Sequence, residues 1–306
     1  MLMYTVRRLL MLIPILLGVT FLTFAIAQVT PGDPAVLALG NQATPERVAA
    51  LREQLGLNDP LLVQYGRYVW NACRGDLGRS IRGGTPVLHE ILASLPSTVE
   101  LTVAAMAFEI VAGVGAGAVA ASTRSKLLKN GAMISAIIGL SVPNFWLAIL
   151  LIIVFGVNLK WVSVTGGSGL KDLILPALTL GVIPAAVLAR LTRSSIEEVI
   201  REDYVRTARA KGLSWRRVTA VHVLRNALIP VVTVIGLQLA GLLAGAVFIE
   251  NVFARPGLGR FAVNAIAARD YHQVQGTVLF AAAVYVVVNL IVDLLYAVLD
   301  PRIRYS

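Results

Sequence analysis

Apolar residues fall into six long runs, at about Leu9–Val29, Thr98–Ala121, Ala132–Val157, Leu173–Leu191, Ala227–Phe248 and Gln275–Leu299. A helix needs roughly 20 apolar residues to cross a bilayer, so each run predicts a transmembrane span. The first run is about twenty residues long, the length of a full crossing, and reads as a retained span, not a signal peptide. It stops at Thr30-Pro31-Gly32-Asp33-Pro34, where two prolines and a glycine break a helix. The second run contains Gly113 and Gly117 in GxxxG spacing, which lets another helix approach closely. Pro143-Asn144 lies in the third run, Pro176 and Pro184 in the fourth, and Gly236, Gly241 and Gly245 in the fifth. A proline inside a span frees a carbonyl and kinks the helix. The pattern predicts an all-α, polytopic membrane bundle of six spans.

The polar stretches between the runs are unequal. Residues 35–97 form a long one with helical punctuation. Thr44 can cap a helix that has Pro45 at its first position and a Val48/Leu51/Leu55 stripe ending before Gly56. A second helix is predicted from Asp59-Pro60 to about Cys73, then Gly75-Asp76-Leu77-Gly78-Arg79-Ser80, then a third helix near Pro86–Leu95. The stripes imply small helices packed on one another or on the membrane face. The other notable polar stretch is 201–230, hung between the fourth and fifth spans. Ile196, Val199, Ile200, Tyr204, Thr207 and Ala208 recur at helical spacing and predict a single helix entering it. Gly212 fits a left-handed C-terminal cap. Ser214 can cap a second short helix holding Trp215, Val218 and His222. The pattern is a helix–glycine–helix elbow, a shape suited to docking in a groove on a partner.

Composition and charge add orientation. Of 306 residues, 57% are hydrophobic and 14% charged, and mean hydropathy is +0.76. The net charge of +10 is not carried by a soluble domain. Lys and Arg number sixteen in the amino terminus, 122–131, 190–226 and the tail, against five in 158–172 and 249–276. The positive-inside rule then places both termini in the cytoplasm. The six arginines of 35–97 do not weigh against this, because long loops translocate largely regardless of charge.

Candidate chemistry is sparse. No G-x-x-x-x-G-K-[ST] loop occurs, so any ATP-driven step needs a separate ATPase. His89, His222 and His272 fall in three different segments and form no metal site by spacing, and the lone Cys73 excludes an intrachain disulfide. Glu109 and Asp293 lie within spans, either as structural partners in the bundle or as a proton relay. Asn144, Gln238 and Asn289 are the candidates for lining a pathway. A catalytic constellation is missing, which points to a transporter and away from an enzyme.

Six motifs occur in order: TPGDP, GDLGRS, DYVRTARAKG, HVLRNALIPVVT, VFARPGLGR and DPRIRY. Together they resemble, over essentially the whole chain, the permease subunits of bacterial ABC importers, in the branch that carries dipeptides, oligopeptides, nickel chelates and glutathione. RTARAKG resembles that branch's EAA loop. Arg206, Thr207 and Ala208 stand where the general motif has Glu-Ala-Ala, and Gly212 stands on its glycine. The resemblance implies that Asp203, Tyr204, Arg206, Thr207, Ala208, Arg209, Ala210, Lys211 and Gly212 couple the chain to ATPases. The loop would be 193–226, and 30–97 would be an extracytoplasmic insertion in one permease domain, 1–306. The resemblance also implies a second permease, one or two cytoplasmic ATPase subunits and an extracytoplasmic solute-binding protein, in the bacterial inner membrane. This chain itself would hold no cofactor, and ATP and Mg would be used by the ATPases. Glu250–Arg260 resembles an outer signature of the branch, and its turn is predicted to present Phe253 and Arg255. With Pro256 and Gly257 these form either a docking point for the binding protein or an outer gate and plug. The competing class is a secondary transporter, which wants inverted repeats and broken helices.

Overall fold

A computed structural model describes residues 2–29, 32–123, 125–162 and 169–299. Thr30 and Pro31 of TPGDP, Arg124, and the DPRIRY tail lie outside the described residues. Helices account for the ordered structure, and the described residues contain no strand beyond one isolated Arg79/Pro86 bridge. Five helices are long and apolar enough to cross a membrane, over Leu10–Val29, Val87–Ser122, Leu170–Val199, Val218–Val252 and Tyr271–Asp293. They match five of the six predicted spans. The remaining run, 132–157, is divided into α7 (Lys126–Ser141) and α8 (Asn144–Leu151), the latter continuing as a π-helical segment, Ile152–Asn158. Pro143 explains the division: it sits extended at φ −61°, ψ 136°, and disfavours helical backbone at Val142. Pro96, Pro176, Pro184 and Pro230 are absorbed inside their helices.

The chain forms two units. The first comprises Met1–Ser97 and Pro256–Leu290. Its helices are α1 (Leu2–Val29), α2 (Pro34–Leu39), α3 (Pro45–Gln54), α4 (Leu61–Cys73), the first turns of α5 (Val87–Glu109), α13 (Leu258–Ala268) and most of α14 (Tyr271–Leu299). The punctuation reads as expected: Asp33 caps α2 and Thr44 caps α3, each followed by proline at the first helical position. Gly56 follows α3 with φ +64°. The third predicted helix is not separate, because α5 runs from Val87 straight through Pro96 into the second span. Against α1, Tyr65 of α4 hydrogen-bonds Thr20 Oγ1 at 3.0 Å and lays its ring edge-on to Phe21. Leu77, Val87, Ile91 and Leu258 form this unit's core, with Phe261 and Phe280 against it. The GDLGRS loop is pinned by a buried carboxylate: Asp270 accepts from Ser80 Oγ at 2.6 Å and from the Ile81 amide at 2.9 Å.

The second unit comprises Thr98–Arg255 and Ile291–Ser306. It is built on α9 (Leu170–Val199), against which α6 (Gly115–Ser122), α7, α8 and α12 (Leu224–Val252) pack. Leu101, Leu175, Leu180, Leu242, Ala246 and Ile249 form its main core. The predicted small-residue contact is present. A Cβ on Gly113 would sit 2.6 Å from the Ala185 carbonyl oxygen, and one on Gly117 would sit 2.5 Å from that of Ala189. From the other side, a Cβ on Gly181 would lie 2.8 Å from the Ala105 carbonyl. Backbones this close leave no room for a methyl group.

Candidate functional site

The elbow is built from the end of α9 onward. Helix α9 stops at Val199, the chain turns through Ile200–Glu202, and α10 (Asp203–Ala210) begins. The single entering helix predicted from the stripe Ile196–Ala208 is therefore corrected to two helices. The buried face also differs from the predicted stripe. Tyr204 and Thr207 are exposed, whereas Val205 and Ala208, three positions apart, are 1% and 7% exposed. They pack with Ile196, Val218, Val223 and Ala227. A one-residue shift in the reading of a helix turns its predicted face by about 100°, and two turns are too few to reveal the error.

Asp203, Arg206, Arg209, Ala210, Lys211 and Gly212 are exposed. The Arg206–Asp203 pair, 3.5 Å apart and open to water, contributes little to stability. Gly212 has φ +80°, and its amide donates to the Arg209 carbonyl at 3.0 Å, so the predicted left-handed cap is present. Past it, Ser214 is extended but makes no side-chain cap. The predicted second short helix is not free-standing: α11 (Trp215–Arg217) passes through a π-helical segment, Val218–Val223, into α12. The elbow is tied to that base. Asn226 Nδ2 donates to Tyr204 Oη at 2.9 Å and to the His222 carbonyl at 3.1 Å. Before α10, a cleft of about 440 Å³ is lined by Glu197, Glu198, Glu202 and Asp203 with Arg201. Acidic groups thus precede the elbow, while Arg206, Arg209 and Lys211 follow on it.

Of the pathway candidates, Asn144 stands at the first position of α8 and Gln238 on α12, two helices that pack together. Asn144 Oδ1 and Gln238 Oε1 are buried without a hydrogen-bond partner among the described residues. Asn289 lies on α14 in the other unit, where its amide donates to the Tyr285 carbonyl at 2.9 Å. Glu109 is fully buried, both carboxylate oxygens without a hydrogen-bond partner among the described residues, immediately before a π-helical segment, Ile110–Val114.

The turn at 251–260 requires a correction. Phe253 and Arg255 are not presented: they are 5% and 3% exposed. Phe253 is part of the main core, because the turn folds back onto the end of α12. Arg255 donates its backbone amide to the Glu250 carbonyl at 2.8 Å and brings Nη2 to 3.5 Å from Glu100. Glu250 is itself buried and accepts from Thr98 Oγ1 at 2.5 Å. Ala254 takes a left-handed φ of 53° to make the turn. Pro256 is exposed, and Gly257 is the N-cap of α13. Sequence reading took 251–260 as a turn and missed α13. The signal was available in Leu258, Phe261 and Ala265 at helical spacing after a glycine cap.

The chain is similar to known proteins over its whole length. Residues 113–305 match the family model described as binding-protein-dependent transport system inner membrane component, and residues 1–102 match the model for its N-terminal part. The chain is 44% identical to the dipeptide transport system permease protein DppB of Alkalihalophilus pseudofirmus and 46% identical to the di/tripeptide transport system permease protein DppB of Pseudomonas aeruginosa. Both alignments cover 100% of each chain. The dipeptide permease DppB of Escherichia coli is 43% identical over the same full coverage. Among solved structures, the inward-facing MetNI methionine ABC transporter superposes with a TM-score of 0.57 at 19% identity, covering 69% of this chain and 96% of that one. An amino acid ABC transporter crystallised with histidines gives a TM-score of 0.53 at 16% identity, over 70% and 94%. These last two are likenesses of fold.

Proposed function

Because the chain belongs to the family of binding-protein-dependent transport system inner membrane components, we propose that it is the permease subunit of an ATP-driven importer of small peptides. The peptide class is supported by full-length relatives at 43–46% identity whose names specify dipeptides or di- and tripeptides. The observation that carries the mechanism is the α10 elbow, seated on Val205 and Ala208 with its charged face open. It is the docking element for a cytoplasmic ATPase.

A second, related permease completes the pathway, and a solute-binding protein delivers the peptide from outside. ATP and Mg belong to the ATPase subunits, and this chain needs no cofactor. Residues 193–226 form the coupling loop, 30–97 the outer insertion, and both termini lie in the cytoplasm. The sixteen-to-five bias in Lys and Arg supports that orientation.

The coupling works through differential contact. An ATPase that grips the elbow differently with and without ATP shifts the spans between inward-open and outward-open states. The elbow transmits force because α10 is fixed to its base, by Val205 and Ala208 in the core and by Tyr204 on Asn226. Asn144 and Gln238 offer unsatisfied amide oxygens for a peptide's ammonium and amide N–H groups as it passes. Phe253 and Arg255, buried at the end of α12, serve as an outer gate. The test is uptake of labelled dipeptide by proteoliposomes holding this chain, its companion permease and ATPases, with the binding protein outside. Uptake that requires ATP and is outcompeted by di- and tripeptides supports the reading; uptake driven by an ion gradient without ATP refutes it.

A further inference from the structure

The GDLGRS motif and the start of α14 take no part in the coupling described above, yet they help wall a cavity of about 390 Å³ in the first unit. That volume lies within the range of small-molecule sites, roughly 300–1,000 Å³. Its lining includes a group of acceptors. Asp76 caps the loop by accepting the Gly78 amide at 2.9 Å, and its carboxylate has no cationic partner among the described residues. His272 packs its ring against Gly78, where a Cβ would meet the ring at 3.2 Å. Its Nδ1 lies 3.0 Å from the Arg79 carbonyl, which can only accept, so Nδ1 carries the proton. In the neutral ring Nε2 is then left as an acceptor. Tyr271 Oη, on the same wall, is buried with no hydrogen bond among the described residues.

The lining also carries cations. Arg52 pairs with Asp33 through Nε at 2.9 Å, and Arg67 pairs with Asp59. Both arginines are about half exposed and line the cavity. A guanidinium has five N–H donors, so one carboxylate partner leaves donors for a second. Phe24, Leu57 and Tyr68 line the same cavity. Burial pushes the Tyr68 phenol above its ordinary pKa, keeping it a neutral donor.

We propose that this cavity binds a small zwitterion, its ammonium held by Asp76, His272 and Tyr271 and its carboxylate by Arg52 and Arg67. Short peptides carry both an ammonium and a carboxylate on a modest apolar body. The choice of peptide as solute rests on the function proposed above, whereas the site itself rests on the cavity's donors and acceptors. Such a site would hold peptide before its transport.

The experiment uses the complete transporter in nanodiscs, without ATP and without the solute-binding protein. Binding of labelled alanyl-alanine is measured by equilibrium dialysis for the unaltered complex, Asp76→Asn, His272→Ala and, as a control outside the cavity, Arg74→Ala. Asn at 76 can still accept the Gly78 amide, so the loop is kept. Asp76→Asn is expected to weaken binding about 10- to 100-fold, the range for a hydrogen bond to a charged group. N-acetylated alanyl-alanine should bind weakly to the unaltered complex and lose nothing further in Asp76→Asn. Arg74→Ala should match the unaltered complex. Unchanged affinity in both Asp76→Asn and His272→Ala overturns the site, as does an absence of binding in the millimolar range by a complex that takes up dipeptide normally. Binding with this pattern in a complex that imports no peptide would leave the site standing and overturn the transport reading instead.

Discussion

The Arg209 guanidinium lies over the ring of Trp215, 4.7 Å from its centroid, and Gly212 makes the bend that brings the two together. This cation–π contact closes the elbow on itself. It is worth about 0.5–1 kcal/mol at an exposed site, too little to fold the segment but enough to bias its angle.

Gly212→Val should uncouple the transporter without unfolding it. A Cβ at this position meets nothing within 4 Å, so the whole cost comes from φ +80°. A β-branched residue there costs on the order of 1–3 kcal/mol, which the elbow avoids by straightening. Peptide-stimulated ATP hydrolysis and uptake should fall together in proteoliposomes, while the complex still purifies intact. Trp215 fluorescence should shift as Arg209 leaves the ring.

Val205→Asp should detach the elbow from its base. Val205 is 1% exposed among Ile196, Val218 and Ala227, and a carboxylate placed there has no partner in that cluster. Copurification of the ATPase should be lost, with the chain still inserted in the membrane. Arg206→Ala, which removes only an exposed pair, should leave thermal stability within about 0.5 kcal/mol.

Gly113→Ala and Gly115→Ala should act in opposite directions. At Gly113 the new methyl would collide with the Ala185 carbonyl at 2.6 Å and Leu188 Cβ at 2.8 Å, costing about 1–3 kcal/mol. At Gly115 it meets nothing within 4 Å and should gain roughly 0.5–1 kcal/mol from helix propensity. Thermal unfolding of the purified complex in detergent distinguishes them. Equal effects would mean that α9 does not pack where described.

Spans, caps and the glycine contact were legible because each rests on local chemistry. An unbroken run of twenty apolar residues, a Thr-Pro pair and a GxxxG are each defined by residues close together in sequence. Three features were less legible. Pro143 and Pro184 are both prolines within apolar runs, yet one divides a span and the other does not. The difference lies in packing: Ala185 and Ala186, beside Pro184, are buried against neighbouring helices that hold α9 in one piece. The burial of Arg255 likewise depends on Glu100 and Glu250, the former 155 positions away in sequence. The elbow's true inner face, Val205 and Ala208, alternates so closely with Tyr204 and Thr207 that only the base beneath it decides.

Orientation is testable apart from coupling. A reporter active only outside the cytoplasm, fused at residue 65, should be active, and the same reporter at residue 215 should be silent. The charge bias predicts this result, and the reversed pattern would place the elbow on the wrong side for an ATPase.

The central claim, that α10 is the ATPase contact, is tested most directly by a photo-crosslinker placed at the exposed positions 206 and 210, in the assembled transporter, with and without ATP. Both positions should crosslink to an ATPase subunit, with a yield that changes on ATP binding, and a crosslinker at position 65 should give none. Crosslinks from 206 and 210 only to lipid or to permease chains, in every nucleotide state of a complex that still imports peptide, would contradict it.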